Sequence, residues 1–122
     1  MTLSTHVLDA TTGRPAAGVQ VRLDCAVSGG GDASGSGGGW APASQGQTDG
    51  DGRLRLAGHG GSAELEPGVY RITFATGPYF AARGAASFYP EVTITLEITA
   101  RDEHYHVPLL LSPYAYSTYR GS

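Results

Sequence analysis

Apolar and polar residues alternate through most of this chain, in runs that are short and closed by turn-forming residues. "LSTHVLD" (Leu3–Asp9), "VQVRLDC" (Val19–Cys25) and "VTITLEI" (92–98) each switch character at almost every position. Successive side chains of a β-strand point to opposite faces, so a period of two describes a segment covered on one side only. No long segment carries the 3.6-residue period of an amphipathic helix. The chain is therefore restricted to β-structure in which every strand must bury one face against another sheet.

The candidate strands are Leu3–Asp9, Val19–Cys25, Trp40–Gln47, Arg53–Ala57, Gly68–Ala75, Glu91–Thr99, His104–Leu111 and Tyr114–Tyr119. Between them stand "TTGRPAAG", "DGDG", "GHGGSAELEP", "ARDE" and "SP", rich in residues that set turn dihedrals or bond their own backbone. Eight such strands in 122 residues predict an antiparallel β-sandwich with a single core, one domain over 1–122. One short helix is predicted in "GPYFAARGAAS", with Pro78 in its first turn and Gly84 ending it. Pro108 lies inside an otherwise regular strand and predicts a bulge or an unpaired position, because proline lacks a ladder donor. The glycine-rich stretch over 28–39 reads as a surface loop insertion. It lacks the GK[ST] ending of a phosphate-cradling loop.

Composition removes several functions. A net charge of −3 offers no basic face for nucleic acid. No apolar run approaches the roughly 20 residues that span a bilayer. "MTLSTHVLDA" has neither the basic nor the apolar region of an export signal, so a cytoplasmic location is expected. All eight basic residues are arginines, which leaves no lysine for Schiff-base chemistry. The one cysteine, Cys25, continues the apolar face of its strand and reads as core rather than as a reactive thiolate. No G-x-S-x-G elbow is present. Asp9, Asp49, Asp51 and Glu103 fall near turns or strand ends without a catalytic pairing, Asp9 serving the turn after its strand.

The histidines are more informative. In "HYHVPLLL" parity sets His104, His106, Pro108 and Leu110 on one face, and Tyr105, Val107, Leu109 and Leu111 on the other. The second set is core. The first mixes imidazoles with apolar residues and describes a groove or a subunit interface. His6 shares a face with Leu8, and Ser117 with Tyr119, while Arg53 follows the "DGDG" turn at a strand start. Plainer readings stand beside these: a satisfied polar histidine, a solvent-exposed His104, a solvated His59, a surface ion pair for Arg53 with Arg55 on the same face. His-x-His also resembles half a zinc site, but no cysteine or carboxylate stands at a supporting spacing.

Together "STHVLDATTGRPAAGVQVRL", "TDGDGRL", "PGVYRITF", "FYPEVTITLEI" and "HYHVPLLLSPYAYSTYRGS" resemble the 5-hydroxyisourate hydrolase family, the enzymes related to transthyretin. The closing "YRGS" is the most specific of these stretches, and the glycine-rich insertion is the one departure. The resemblance implies a transthyretin-like sandwich of two four-stranded sheets with a short helix. It implies a homotetramer, a dimer of dimers with active sites at the dimer–dimer interface, and hydrolysis of 5-hydroxyisourate without metal or organic cofactor. It assigns catalysis to His6, Arg53 and His106, and substrate binding to His6, Arg53 and Tyr119, with Ser117 and Ser122 adding hydrogen bonds. Arg120, opposite in parity to Tyr119, is expected to support the interface. The rival readings are a non-catalytic transthyretin-type carrier of a small aromatic ligand, whose channel would be more apolar, and an accessory sandwich domain.

Overall fold

The computed structural model describes residues 2–27, 39–57, 65–100 and 103–121. In chain order these form β1 (Thr2–Asp9), β2 (Arg14–Pro15), β3 (Gln20–Ala26), β4 (Trp40–Gln47), β5 (Arg53–Leu56), β6 (Gly68–Phe74), α1 (Thr76–Ala81), β7 (Val92–Ile98), β8 (His104–Ser112) and β9 (Ala115–Thr118). Two sheets result. One runs β2-β1-β8-β9, with β5 also paired to β1; the other runs β4-β3-β6-β7.

The period-two pattern becomes burial directly. Leu3, Thr5, Val7 and Asp9 of β1 point inward, while Thr2, Ser4, His6 and Leu8 remain part-exposed. On β8, Tyr105, Val107, Leu109 and Leu111 are buried, and His106 and Leu110 are half-buried on the opposite face. Leu3, Val7, Leu56, Leu109 and Leu111 of the first sheet and Val21, Leu23, Ile72, Phe74, Val92 and Ile98 of the second belong to one core cluster. Each such side chain contributes roughly 1.5–3 kcal/mol on burial. Cys25 is half-buried and packs against this cluster. Two of the buried threonines are bonded to backbone groups. Thr5 donates to the Val107 carbonyl at 2.6 Å, and Thr48 donates to Ala16 O at 2.7 Å while accepting Val19 N–H at 2.9 Å.

All eight expected strands are present, with no boundary displaced by more than one residue. The differences lie in their pairing. A ninth, two-residue strand, β2, makes the first sheet five-stranded instead of four-stranded; Arg14 and Pro15 pair back onto Asp9 and Leu8. Two residues have no periodicity for a pattern to reveal. The sandwich is also not wholly antiparallel, since β1 and β8 run parallel over eight residue pairs. That register passes through Pro108 without a shift. The Pro108 carbonyl accepts the Thr118 hydroxyl at 2.7 Å, so its missing N–H faces the β9 side, where the ladder ends at the Leu109–Thr118 pair. The irregularity falls instead between Leu23 and Asp24 on β3.

The helix occupies the predicted place. Pro78 lies in its first turn, and Gly84, at φ +71°, follows its end. Tyr79 leaves α1 to donate its hydroxyl to Asp9 Oδ2 at 2.9 Å, tying the helix to the end of β1. Asp9 also takes the Thr11 backbone N–H at 2.9 Å, the turn duty expected of it.

Candidate active site

The site lies on the outward face of the first sheet and follows from its registers. On β5, Arg53 stands opposite His6 and Arg55 opposite Ser4. On β8, His104 stands beside Thr2, His106 beside Ser4 and Pro108 beside His6. Strand order thus lays out two adjacent rows, Arg55–Ser4–His106 and Arg53–His6–Pro108. They border an open cleft of ≈ 470 Å³ whose lining includes Ser4, Asp49, Arg53, Arg55, His104 and His106.

The turn before β5 aims Arg53. Asp49 Oδ1 accepts the backbone N–H groups of Asp51 and Arg53, each at 2.9 Å. Those two bonds hold its carboxyl below the usual carboxylate range against a smaller opposing effect of burial, with the Arg53 and His6 charges helping. Gly52 completes the turn at φ +76°; a Cβ there would fall 2.3 Å from the Val7 carbonyl, so no other residue fits. Val7 N–H bonds Gly52 O at 2.7 Å, which pins the turn to β1 beside His6. His6 then donates Nε2–H to the Asp51 carbonyl at 2.9 Å, since a carbonyl can only accept. Neutral His6 is left with Nδ1 as its acceptor.

His106 is half-buried between the cleft and the C-terminal segment. Its Nδ1 lies 2.8 Å from Ser4 Oγ, which is also 3.1 Å from Nε2 of His104; Nδ1 of His104 in turn bonds Thr2 Oγ1. Burial, then the positive charges of Arg53, His104 and His6, hold the His106 imidazole below its ordinary value, and the Ser4 backbone offsets part of this. Burial and these charges thus favour the neutral imidazole, the form a general base uses. Among the described residues no third ligand joins the two neighbouring histidines in a metal-binding group.

The C-terminal segment packs on the other side of His106. Gly121 N–H donates to the His106 carbonyl at 2.8 Å. Beyond Thr118 the chain leaves the strand, and the parity assigned to its end no longer holds: Tyr119 and Arg120 line the same groove. This second groove, of ≈ 290 Å³, also takes in Leu96, Tyr105 and His106. The Arg120 guanidinium lies 4.4 Å above the Tyr105 ring and 3.7 Å from Glu103.

The expected residues are therefore distributed. Arg53 and His106 line one cleft, His6 lies in the adjoining row with its ring bonded to the turn, and Tyr119 lines the groove behind His106. Ser117 stands opposite Leu110, two residue pairs along β8 from the His6 row. Ser122 and His59 lie outside the described residues, as does the glycine-rich stretch except Gly39. Residues outside the expected set line the cleft too. Arg55, which shares the face of Arg53, and the exposed His104 both line it, and so does Ser4. The i, i+2 spacing of Ser4 and His6 placed them on one face; that this face meets the histidines of β8 needed the parallel register.

The HIUase/Transthyretin family model matches residues 3–121. The chain is 44% identical over 120 residues to a 5-hydroxyisourate hydrolase of Salmonella typhimurium, covering 98% of this chain and 80% of that protein. Among solved structures, the 5-hydroxyisourate hydrolase of Klebsiella pneumoniae superposes with a TM-score of 0.79 at 35% identity, covering 100% of both chains. Transthyretin of Sparus aurata superposes with a TM-score of 0.81 at 29% identity, covering 98% of this chain and 95% of that one.

Proposed function

The chain belongs to the HIUase/Transthyretin family, and from that premise we propose that it is the enzyme that hydrolyses 5-hydroxyisourate to 2-oxo-4-hydroxy-4-carboxy-5-ureidoimidazoline, a step of urate degradation. One observation carries the reading: the half-buried imidazole of His106 shares a cleft with the guanidinium of Arg53. Opening a cyclic amide with water needs a base for the water and a positive group for the oxyanion.

His106 takes a proton from water as the oxygen attacks the ring carbonyl. Arg53 faces the developing negative charge, for which its fork of donors is suited. His6, oriented by its bond to Asp51, helps to hold the water. The proton then goes to the leaving ring nitrogen. Tyr119, with Ser117 and Ser122, binds substrate from the C-terminal segment.

Because Tyr119 and Arg53 border different hollows of one chain, we further propose that neighbouring subunits complete the site within a homotetramer built as a dimer of dimers. The edge strands β7 and β9 and the exposed Phe88, Tyr114, Tyr116 and Tyr119 support such association. A cytoplasmic location is proposed with it, in keeping with the free thiol of Cys25. A transthyretin-type carrier is less suited, because the cleft presents two guanidinium and two imidazole side chains rather than an apolar lining. The test is direct. Freshly generated 5-hydroxyisourate loses its near-ultraviolet absorbance much faster with the protein than without it; equal decay rates reject the hydrolase.

A further inference from the structure

Ser4 stands between two imidazoles. Its hydroxyl lies 2.8 Å from Nδ1 of His106 and 3.1 Å from Nε2 of His104, and Nδ1 of His104 is bonded to the Thr2 hydroxyl. The two rings are nearly parallel, 19° apart in plane and 6.4 Å between centroids. The parallel register builds this row, because outward residues of β1 and β8 meet in step: Thr2 with His104, then Ser4 with His106.

A neutral imidazole carries one N–H and a hydroxyl one O–H, so when Ser4 spends its O–H within this row the bonds all point the same way. In one direction His106 donates Nδ1–H to Ser4, Ser4 donates to Nε2 of His104, and His104 donates Nδ1–H to Thr2. Nε2 of His106 then carries a bare lone pair. In the other direction each bond is reversed, Nε2 of His106 is protonated, and that ring is no base. Direction decides whether His106 can act.

We propose that Ser4 and His104 are positioning residues that set the tautomer of His106 and carry its proton outward during hydrolysis. The proposal rests on the hydrolase reading. As water attacks, its O–H bond breaks and an N–H bond forms at Nε2 of His106. The Nδ1 proton of His106 passes to Ser4 Oγ, and the former Ser4 hydroxyl proton passes to Nε2 of His104. Positive charge comes to rest on His104, which is exposed, rather than on the half-buried His106. The reverse sequence returns the proton through His106 to the leaving nitrogen, and no electrons change hands.

The surroundings favour moving that charge. Arg53 and Arg55 from β5 and Arg120 from the C-terminal segment add positive charge around His106, and the His6 ring of β1 lies in the adjoining row. The carboxylates bordering the same two hollows are Asp49, engaged by backbone N–H groups, and Glu97 of β7; Tyr119 borders the second.

Two variants and one spectrum test this. Ser4→Ala should lower kcat about 10²-fold with KM within roughly twofold, and Ser4→Thr, which keeps the hydroxyl, should restore most of it. His104→Ala should show a similar loss, relieved by imidazole added to the buffer. Nitrogen NMR of the resting protein, which needs no substrate, should show Nδ1–H on His106 in the native chain and Nε2–H in Ser4→Ala. An unchanged His106 tautomer in Ser4→Ala, or native kcat in that variant, overturns the relay while leaving the hydrolase intact. Failure of the native chain to speed substrate decay overturns the hydrolase instead. Parallel loss of Tm and kcat in Ser4→Ala, unrelieved in Ser4→Thr, reduces the row to a fastening between strands and also overturns the proposal.

Discussion

Gly121 and His106 touch at backbone and ring together. The glycine N–H bonds the histidine carbonyl at 2.8 Å, and a Cβ on Gly121 would lie 2.6 Å from Cδ2 of the imidazole. The C-terminal glycine is thus the surface against which the base is seated. Gly121→Ala should displace the ring and cut kcat about 10²-fold, the scale of loss for a 1 Å misplacement. Tm should move little, because the segment buries few core groups. Kinetics and thermal unfolding on one preparation test the pair of outcomes.

His106→Asn removes the base but keeps a polar side chain of similar reach. Turnover should fall about 10²-fold or more, with the circular dichroism spectrum unchanged. A variant that retains nearly full turnover would assign the base to another residue.

The pH dependence follows from the charges around His106. Its pKa is lowered from 6.5, so the neutral, active form persists below that pH and activity is lost as pH falls through the lowered value. Arg53→Gln removes one of the positive charges responsible and should raise the midpoint of the His106 titration toward 6.5. Proton NMR titration of the ring measures this independently of any effect on catalysis.

Far from the cleft, Tyr79 and Asp9 form a buried pair. Burial pushes the Asp9 carboxyl up, but bonds from Thr11 and Tyr79 together outweigh it, and its pKa is lowered from 3.8. Burial, followed by the bond to Asp9, pushes Tyr79 up to about 12. The lowered Asp9 pKa means stability present above 3.8 and lost as pH falls through the folded-state value. Tyr79→Phe should cost about 1–3 kcal/mol at pH 7 by leaving Asp9 short of a donor. That cost should shrink as the carboxyl protonates, which urea denaturation at two pH values measures.

Parity along single strands was legible because it is local. The outward set His104, His106 and Leu110, the inward set Tyr105 to Leu111, and the turn that presents Arg53 all follow from backbone geometry within a few residues. Parity also failed where regularity stopped. Tyr119 leaves the strand after Thr118, so it shares a groove with Arg120 instead of facing away from it. Arg55 was visible beside Arg53, but nothing local distinguished a cleft residue from a solvated one.

The amino-acid sequence by itself determined which residues could be outward and polar, because a strand's side-chain period depends only on its own backbone. Tertiary structure alone decided which of them meet. Ser4 and His106 are far apart in the chain, and their 2.8 Å contact exists because β1 and β8 pair in parallel at one register. A shift of one residue would have turned the histidines into the core and the leucines to the surface, so burial of the inward faces selected the register that assembles the site.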